Sequence, residues 1–246
     1  MALLKVLLLL GLGVSVNSDV SLKKRIIGGQ NCQDTERLYH VRVESIKGNE
    51  RIRCGGSLIQ PQWILTAAHC WKSEPGWTNT AVLKVHPRTV MVQYRVIRPT
   101  PVIYDPSHDI MLLKIQTPAR DVPIVQLPDC SYRLKIFDTV QLAGEGATTT
   151  GPNNQQLTAA PIPAHLQCVD MKVVGVSLFK HSHGHVFHVG APNKKMCNGD
   201  TGGAVVYNNM IYGVISFGGQ DACQSPATIL DVCSYNSWIH LRTGLQ

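Results

Sequence analysis

Three polar side chains in this sequence are of the types that hydrolyse acyl bonds together. His69 ends the run LTAAHC, Asp109 opens the run DIMLLKI, and Thr201 lies in the glycine-rich stretch CNGDTGGAVV. A hydroxyl is a poor nucleophile at neutral pH, so it needs a histidine that accepts its proton and a carboxylate that orients the histidine. Purely structural roles are the alternative: His69 as a partly buried histidine, Asp109 as a strand cap, and Asp200, the residue before Thr201, as a turn residue.

Short apolar runs separated by glycine, proline and asparagine predict the elements that position these residues. This pattern is typical of an all-β sandwich or barrel. The candidate strands are VRVESI (41–46), RIRCGGSLI (51–59), WILTAA (63–68), VMVQYRVIR (90–98), DIMLLKI (109–115), TVQLAG (139–144), GAVVY (203–207) and IYGVISF (211–217). Asn208–Asn209 is typical of a hairpin turn. SYNSWIHLR (234–242) predicts a helix that Ser234 or Asn236 caps.

The first 25 residues carry two processing signals. Residues 1–18 combine an early lysine, a short apolar run and small residues at the end, which predicts a secretory signal peptide cleaved after Ser18. The apolar run is too short for a membrane anchor. Residues 19–25, DVSLKKR, precede IIGG and predict cleavage at Arg25–Ile26, with a plain solvated tail as the alternative. We therefore expect a secreted, extracellular protein whose mature part is residues 26–246.

The cysteine content and the net charge limit the classes of ligand that the protein is expected to bind. Eight cysteines in an exported chain imply disulfides, and their spacing argues against a structural zinc site. Without residues 1–25 the net charge is about +4, which fits a mixed solvated surface, with binding of heparin-like polyanions as the alternative. No basic run with interleaved aromatic residues indicates nucleic-acid binding.

Six short segments follow one another along the chain in a specific order. They are IIGG after a basic residue, LTAAHC, DIMLLKI, GDTGG, ISFG and CSYNSWI. In this order and spacing they resemble the trypsin/chymotrypsin family of serine endopeptidases, and the resemblance covers residues 26–246. It implies an all-β fold of two antiparallel Greek-key β-barrels with a C-terminal helix, and an active site in the cleft between the barrels.

The resemblance also implies a role for each polar residue of that cleft. His69 matches the general base, Asp109 matches the carboxylate that orients it, and Ser216 matches the residue that supports this carboxylate. Thr201 stands at the position of the nucleophilic serine. The backbone N–H groups of Gly199 and Thr201 match the oxyanion hole.

Activation is a further implication of the resemblance. After cleavage at Arg25, the new amine of Ile26 would turn inward and pair with Asp200, as in zymogens of the family. This ion pair would order the oxyanion hole and the specificity pocket. The chemistry requires no metal and no cofactor.

Thr201 departs from the family pattern by one methyl group. The branched side chain is stiff at χ1, so aiming its oxygen at His69 forces the methyl into space that serine leaves empty. Overpacking by a methyl costs about 1–3 kcal/mol, and a misplacement of about 1 Å in a reacting atom costs about a hundredfold. Together these effects predict a loss of activity on the order of a thousandfold or more.

The predicted specificity pocket departs as well. Its implied members are Lys195, Ser216, Phe217, Gly218 and Ala227. Lys195 occupies the position six residues before the nucleophile, where trypsin-like members carry an acidic residue. A lysine there repels basic ligand side chains and needs a carboxylate partner or an exit to water. Ala227 replaces a glycine and narrows the pocket, Phe217 replaces a tryptophan, and an acidic ligand side chain is the expected preference.

The resemblance implies three disulfides, Cys54–Cys70, Cys130–Cys233 and Cys197–Cys223. Cys32 and Cys168 remain outside this set. They are free, pair with each other, or link to another chain, and the sequence leaves the three options open.

Four histidines lie close together in KHSHGHVFH (180–188), which the sequence predicts as a loop. They are His181, His183, His185 and His188. Alternate histidines on one face can bind zinc or copper. A ligand-free loop expansion is the favoured interpretation, so no metal site is predicted.

The sequence thus predicts a secreted trypsin-like protease homologue whose catalysis is lost or severely impaired. It would act by binding a peptide or protein ligand in the inter-barrel cleft, such as a protease inhibitor or a surface receptor. One alternative is a weakly active serine-type endopeptidase that uses Thr201 as nucleophile, with non-tryptic specificity. Another is a basic heparin-binding or antimicrobial protein on the same fold.

Overall fold

The computed structural model describes residues 26, 28–88, 92–95, 101–146, 163–177, 185–216 and 223–245. Several predictions fall outside these residues. They are the signal peptide (1–18), the activation peptide (19–25) with Arg25, the pocket residues Phe217 and Gly218, and the histidines His181 and His183.

The first half of the chain forms an antiparallel seven-stranded sheet. Its strands are β2 (His40–Lys47), β3 (Glu50–Gln60), β4 (Trp63–Thr66), β5 (Thr78–Leu83), β6 (Val92–Arg95), β7 (Val102–Ile103) and β8 (Met111–Lys114). Their spatial order is β6-β5-β2-β3-β4-β8-β7. Apolar residues on β4 and β8, such as Ile64 and Leu113, are fully buried. Strands β4 and β8 therefore belong to the hydrophobic core, at the end of the sheet where His69 lies.

The second half closes into a barrel. Its strands are β1 (Gln30–Asn31), β9 (Thr139–Gly144), β10 (Gln167–Val176), β11 (Val186–Gly190), β13 (Ala204–Tyr207), β14 (Met210–Ser216) and β16 (Ala227–Asp231). The order is β1-β10-β11-β16-β14-β13-β9, and pairing of β9 with β10 closes six of these strands into a ring. A small ladder joins β12 (Met196–Cys197) to β15 (Cys223–Gln224).

The C-terminal helix α1 spans Asn236–Thr243 and follows a 3₁₀ turn, Val232–Tyr235. The predicted helix is present, but the predicted cap is wrong. Tyr235 precedes the helix without a side-chain cap, and Asp231 instead accepts a hydrogen bond from the backbone N–H of Cys233. The chain enters the helix through the 3₁₀ turn, so the side-chain cap serves the turn. The predicted all-β class with a C-terminal helix is confirmed.

Other differences from the sequence prediction concern strands. The loop interpretation of 180–188 is wrong at its end, because His188 lies in β11 opposite Thr228. Strand β10 was not predicted, although Val169, Met171 and Val173 are buried and alternate with exposed residues as in a half-buried strand. Asn208–Asn209 forms the expected hairpin turn, and both residues have positive φ, as a type I′ turn requires.

Four disulfides connect these elements. The three expected pairs, Cys54–Cys70, Cys130–Cys233 and Cys197–Cys223, are present. Cys32 pairs with Cys168, which joins the segment after β1 to β10 and decides between the three options that the sequence left open. Within the described residues, no helix is both long enough and apolar enough to cross a bilayer.

Candidate active site

His69 and Asp109 meet because their flanking strands are neighbours. Strands β4 and β8 are antiparallel, with Thr66 opposite Met111. His69 follows β4 in the 3₁₀ turn Ala68–Cys70, and Asp109 lies two residues before the start of β8. The backbone N–H of Ala68 donates to the carbonyl of Asp109 at 3.1 Å, which fixes the two connections side by side.

A hydrogen-bonded chain runs from Ser216 through Asp109 to His69. Nδ1 of His69 lies 2.9 Å from Oδ1 and 2.8 Å from Oδ2 of Asp109, and Ser216 Oγ donates to Oδ2 at 2.6 Å. Because the carboxylate only accepts, it holds the imidazole proton on Nδ1 and leaves Nε2 as the basic nitrogen. Burial alone would raise the pKa of Asp109, but the hydrogen bonds and charge of His69 and the bond from Ser216 hold that pKa below its ordinary value.

The glycine-rich stretch forms a tight turn, Cys197–Asp200, closed by a 3.0 Å hydrogen bond from the Asp200 N–H to the Cys197 carbonyl. Gly199 has a φ of 100°, as the third residue of a type II turn requires. A Cβ on Gly199 would lie 2.9 Å from Cα of Gly146, so this position accepts glycine only. The turn therefore packs directly against the end of β9.

Thr201 follows this turn and is 3% exposed. Its carbonyl accepts a 2.6 Å hydrogen bond from the Gly55 N–H on β3, which ties the turn to the first sheet. Among the described residues, no hydrogen bond joins the Thr201 hydroxyl to His69. The histidine and its carboxylate are thus assembled, while the hydroxyl is not connected to them.

Asp200 is fully buried behind the turn. Its carboxylate accepts hydrogen bonds from the Gly146 N–H at 2.7 Å and the Cys197 N–H at 2.8 Å. Burial raises the pKa of Asp200 to about 7, because the two backbone donors offset only part of the desolvation and the charge of Glu145 adds to it. Ile26 is also fully buried, in the apolar cluster of the barrel.

A family model for trypsin matches residues 26–239 of this chain. The chain belongs to the trypsin family. Rat trypsin-4 is 32% identical over 245 residues, covering 93% of this chain and 94% of the relative. Pig trypsin is 32% identical over 231 residues, covering 87% and 94%, and human putative trypsin-6 is 31% identical over 251 residues, covering 96% of each.

Solved structures of similar proteins show the same fold. Neuropsin, a serine protease of mouse brain, is 25% identical with a TM-score of 0.68, covering 87% of this chain and 98% of that protein. The structure of GrC is 27% identical with a TM-score of 0.73, covering 89% and 100%. This trypsin-family chain therefore shares both the sequence motifs and the architecture of its relatives.

The described residues that were predicted to form the specificity pocket differ in their exposure to solvent in this family member. Lys195 is exposed and, within the described residues, makes no ion pair or hydrogen bond. The next residue, Met196, is fully buried in the same apolar cluster as Ala227. Lys195 directly precedes β12 and is exposed, whereas both residues of β12, Met196 and Cys197, are fully buried. The predicted exit of Lys195 to solvent is the option observed.

The possible metal ligands of this family member include cysteines that are paired in disulfides. In the described part of the chain, two groups contain three possible ligands, namely Cys54, His69 and Cys70, and Cys32, Glu36 and Cys168. Each group includes a disulfide, whose sulfurs are not the thiolates that bind metal ions. His185 and His188 belong to neither group.

Sequence reasoning missed a buried ion-pair network beside the turn. Nε and Nη2 of Arg42 each lie 2.6 Å from an oxygen of Glu145, and Nη2 of Arg88 lies 3.0 Å from one of the same oxygens. The Arg42 and Glu145 side chains are both 6% exposed. Burial would raise the pKa of Glu145, but the bond and charge of Arg42, with other nearby cations, lower it. The available signal was a charged residue in or directly after an apolar run, Arg42 in VRVESI and Glu145 after TVQLAG.

Proposed function

We propose that this chain is a secreted trypsin-family homologue with lost or severely impaired catalysis, which acts by binding a peptide or protein ligand in the cleft beside His69. One observation carries the proposal. The Ser216–Asp109–His69 chain is complete, yet the hydroxyl of Thr201, at the motif position of the nucleophile, makes no hydrogen bond to His69 within the described residues.

Because Thr201 is buried, forming a hydrogen bond between its hydroxyl and His69 would cost free energy. At 3% exposure its side chain has packed neighbours, and its backbone is fixed by the bond to Gly55. Rotating the oxygen toward His69 moves the methyl group into that packing, at a cost of about 1–3 kcal/mol. Serine has no such group. The substitution therefore disables the nucleophile and leaves the base in place.

The cleft keeps what a ligand needs. Gly199 is partly exposed in the Cys197–Asp200 turn, and its backbone N–H is at the motif position of a donor for a ligand carbonyl. Lys195, at the motif position of the pocket's acidic residue, is exposed and offers no acidic partner for an arginine or lysine of a ligand. A ligand of this cleft would therefore differ from a tryptic substrate.

Secretion and processing complete the proposal. Four disulfides fit an oxidising compartment, and residues 1–18 have the pattern of a signal peptide. Asp200 is a buried carboxylate that has no ion-pair partner among the described residues. Cleavage at Arg25–Ile26 would supply one, the amine of Ile26.

A fluorophosphonate probe tests the proposal. The protein is cleaved after Arg25, the Ile26 terminus is confirmed by mass spectrometry, and labelled sites are mapped in the native chain and in Thr201→Ser. We expect detectable label on the serine variant alone, at a rate about a thousandfold or more above that of the native chain. Absence of label on both chains would contradict an intact base and turn.

Retained weak endopeptidase activity is the second candidate, favoured by the same complete His69–Asp109 pair. Label on Thr201 itself, with turnover of peptide substrates, would establish this candidate in place of the first. Turnover that disappears in His69→Ala would assign it to this site rather than to a contaminating protease.

A further inference from the structure

Arg42 and Glu145 connect the two halves of the molecule through a buried contact. Arg42 lies in β2 of the first sheet, paired on either side with Gly55 and Val82, so its backbone is fixed. Glu145 follows β9 of the barrel directly. Two parallel hydrogen bonds of 2.6 Å hold the carboxylate in one orientation, as bidentate arginine–carboxylate pairs do. Arg88 adds a third contact from a different segment of the chain.

The Glu145–Gly146 peptide contacts two residues of the glycine-rich turn, Asp200 and Gly199. The Gly146 N–H donates to Oδ1 of Asp200 at 2.7 Å. An ideal Cβ on Gly199 would lie 2.9 Å from Cα of Gly146 and 3.4 Å from the carbonyl oxygen of Glu145. The turn therefore rests against this peptide, and the position of the peptide constrains the turn.

These contacts are all present in the uncleaved chain, where the backbone nitrogen of Ile26 is still an amide. In this state the Asp200 carboxylate is held by two backbone N–H groups. We propose that Arg42 and Glu145 are positioning residues that hold the Cys197–Asp200 turn in its formed geometry before any cut at Arg25–Ile26. This inference rests on the proposed function, because it concerns the same cleft, and it means that the cleft can bind a ligand without proteolytic processing.

Amide hydrogen exchange in the uncleaved full-length chain tests the inference directly. In the native sequence at pH 5, where Asp200 is still protonated in the uncleaved chain, we expect residues 197–203 to exchange at the same rate before and after cleavage, within about twofold. In Glu145→Gln, the same residues should exchange at least about tenfold faster in the uncleaved chain, and cleavage should slow them again because the Ile26 amine then orders Asp200. A merely structural role would not give this recovery.

Glu44→Gln is the matched control. Glu44 lies on the same strand as Arg42 and forms a more exposed pair with Arg53 at 3.7 Å. We expect exchange in residues 197–203 to be unchanged in this variant. If Glu145→Gln does not fold, Arg88→Gln replaces it, because this change leaves the Arg42 contact intact and should accelerate exchange by a smaller factor in the same segment.

Three results would overturn the inference. The first is that cleavage of the native chain slows exchange in residues 197–203 by about tenfold or more, since the turn would then depend on the new amine. The second is unchanged exchange in that segment of Glu145→Gln or Arg88→Gln. The third is accelerated exchange throughout Glu145→Gln that cleavage does not reverse.

The fluorophosphonate probe separates this inference from the proposed function. Equal labelling of cleaved and uncleaved Thr201→Ser supports both. Labelling of the cleaved variant alone overturns the inference and leaves the proposed function in place. If neither form is labelled, the proposed function fails, and hydrogen exchange in the native chain still decides whether Arg42 and Glu145 hold the turn.

Discussion

Ser216 donates a 2.6 Å hydrogen bond to the same oxygen of Asp109 that lies 2.8 Å from Nδ1 of His69. Ser216 belongs to β14 of the barrel, whereas Asp109 and His69 flank strands of the first sheet. The orientation of the histidine thus depends on the docking of the two halves. Measurements that report on Asp109 therefore also report on that docking.

The first prediction concerns Asp109→Asn. The pKa of Asp109 is below its ordinary value, so its contacts stabilise the fold above about pH 4 and this contribution is lost as the pH falls through the folded pKa. We expect the variant to be less stable than the native chain by about 1–2 kcal/mol at pH 7, with the difference shrinking as the pH falls through the folded pKa of Asp109. Urea unfolding across this range measures it. A pH-independent difference for Asp109→Asn would contradict the prediction.

The second prediction concerns Asp200, with the opposite sign. Its pKa is raised to about 7, so the uncleaved chain is stabilised below the ordinary value of 3.8 and loses this stability as the pH rises through 7. The difference between the two values corresponds to about 4 kcal/mol. Asp200→Asn should lack this loss. Chemical unfolding of the uncleaved chain at pH 5 and pH 8, with and without the substitution, measures it.

Cleavage provides the control for Asp200. Once the amine of Ile26 is free, its positive charge should favour the ionised carboxylate and lower the pKa of Asp200. The cleaved native chain should then keep its stability between pH 5 and pH 8. An equal loss before and after cleavage would show that the amine does not reach Asp200.

The third prediction concerns two glycines with positive φ. Gly202 has a φ of 82°, and a Cβ there would lie 2.3 Å from both the Gly55 carbonyl oxygen and Oγ1 of Thr66. Gly202→Ala should therefore lower the free energy of unfolding by about 3–5 kcal/mol. Gly48 has a φ of 56° with nothing within 4 Å of its Cβ position, so Gly48→Ala should cost only about 1 kcal/mol. Equal losses in the two variants would mean that the contacts of Gly202 relax freely.

The fourth prediction compares two ion pairs that each have one member on β2, Arg42–Glu145 and Glu44–Arg53. Removing a partner from a buried pair leaves an unpaired charge, so Glu145→Gln should destabilise the uncleaved chain by about 3–5 kcal/mol. Glu44→Gln breaks the longer, more exposed pair with Arg53 and should cost less than about 1 kcal/mol. Thermal and urea unfolding compare them. A smaller loss in Glu145→Gln would indicate that water enters the site and solvates Arg42.

Local motifs made much of the site predictable from the sequence. His69 and Asp109 adjoin apolar runs that form β4 and β8, and the pairing of these strands brings the two residues together. Gly199 could be assigned from the GDTGG motif of the family, and the structure places it in a turn that requires positive φ at this position. In each case, a few neighbouring residues determine the local backbone.

Long-range contacts were not predictable in this way. Cys32–Cys168 depends on the pairing of β1, a strand of two residues, with β10, and no local pattern encodes that register. The Arg42–Glu145 contact joins residues 103 positions apart, and a charge in an apolar run does not reveal its partner. Such contacts follow from how the two halves dock.

The Cys32–Cys168 disulfide also determines what a cut after Arg25 would achieve. No cysteine occurs before Cys32, so the activation peptide, residues 19–25, would diffuse away without a covalent link. The remaining end would be anchored to β10 only six residues beyond Ile26. A short tether gives its free end an effective concentration on the order of millimolar near its target. The amine of Ile26 would therefore reach Asp200 as an intramolecular ligand, at an occupancy that does not change when the protein is diluted.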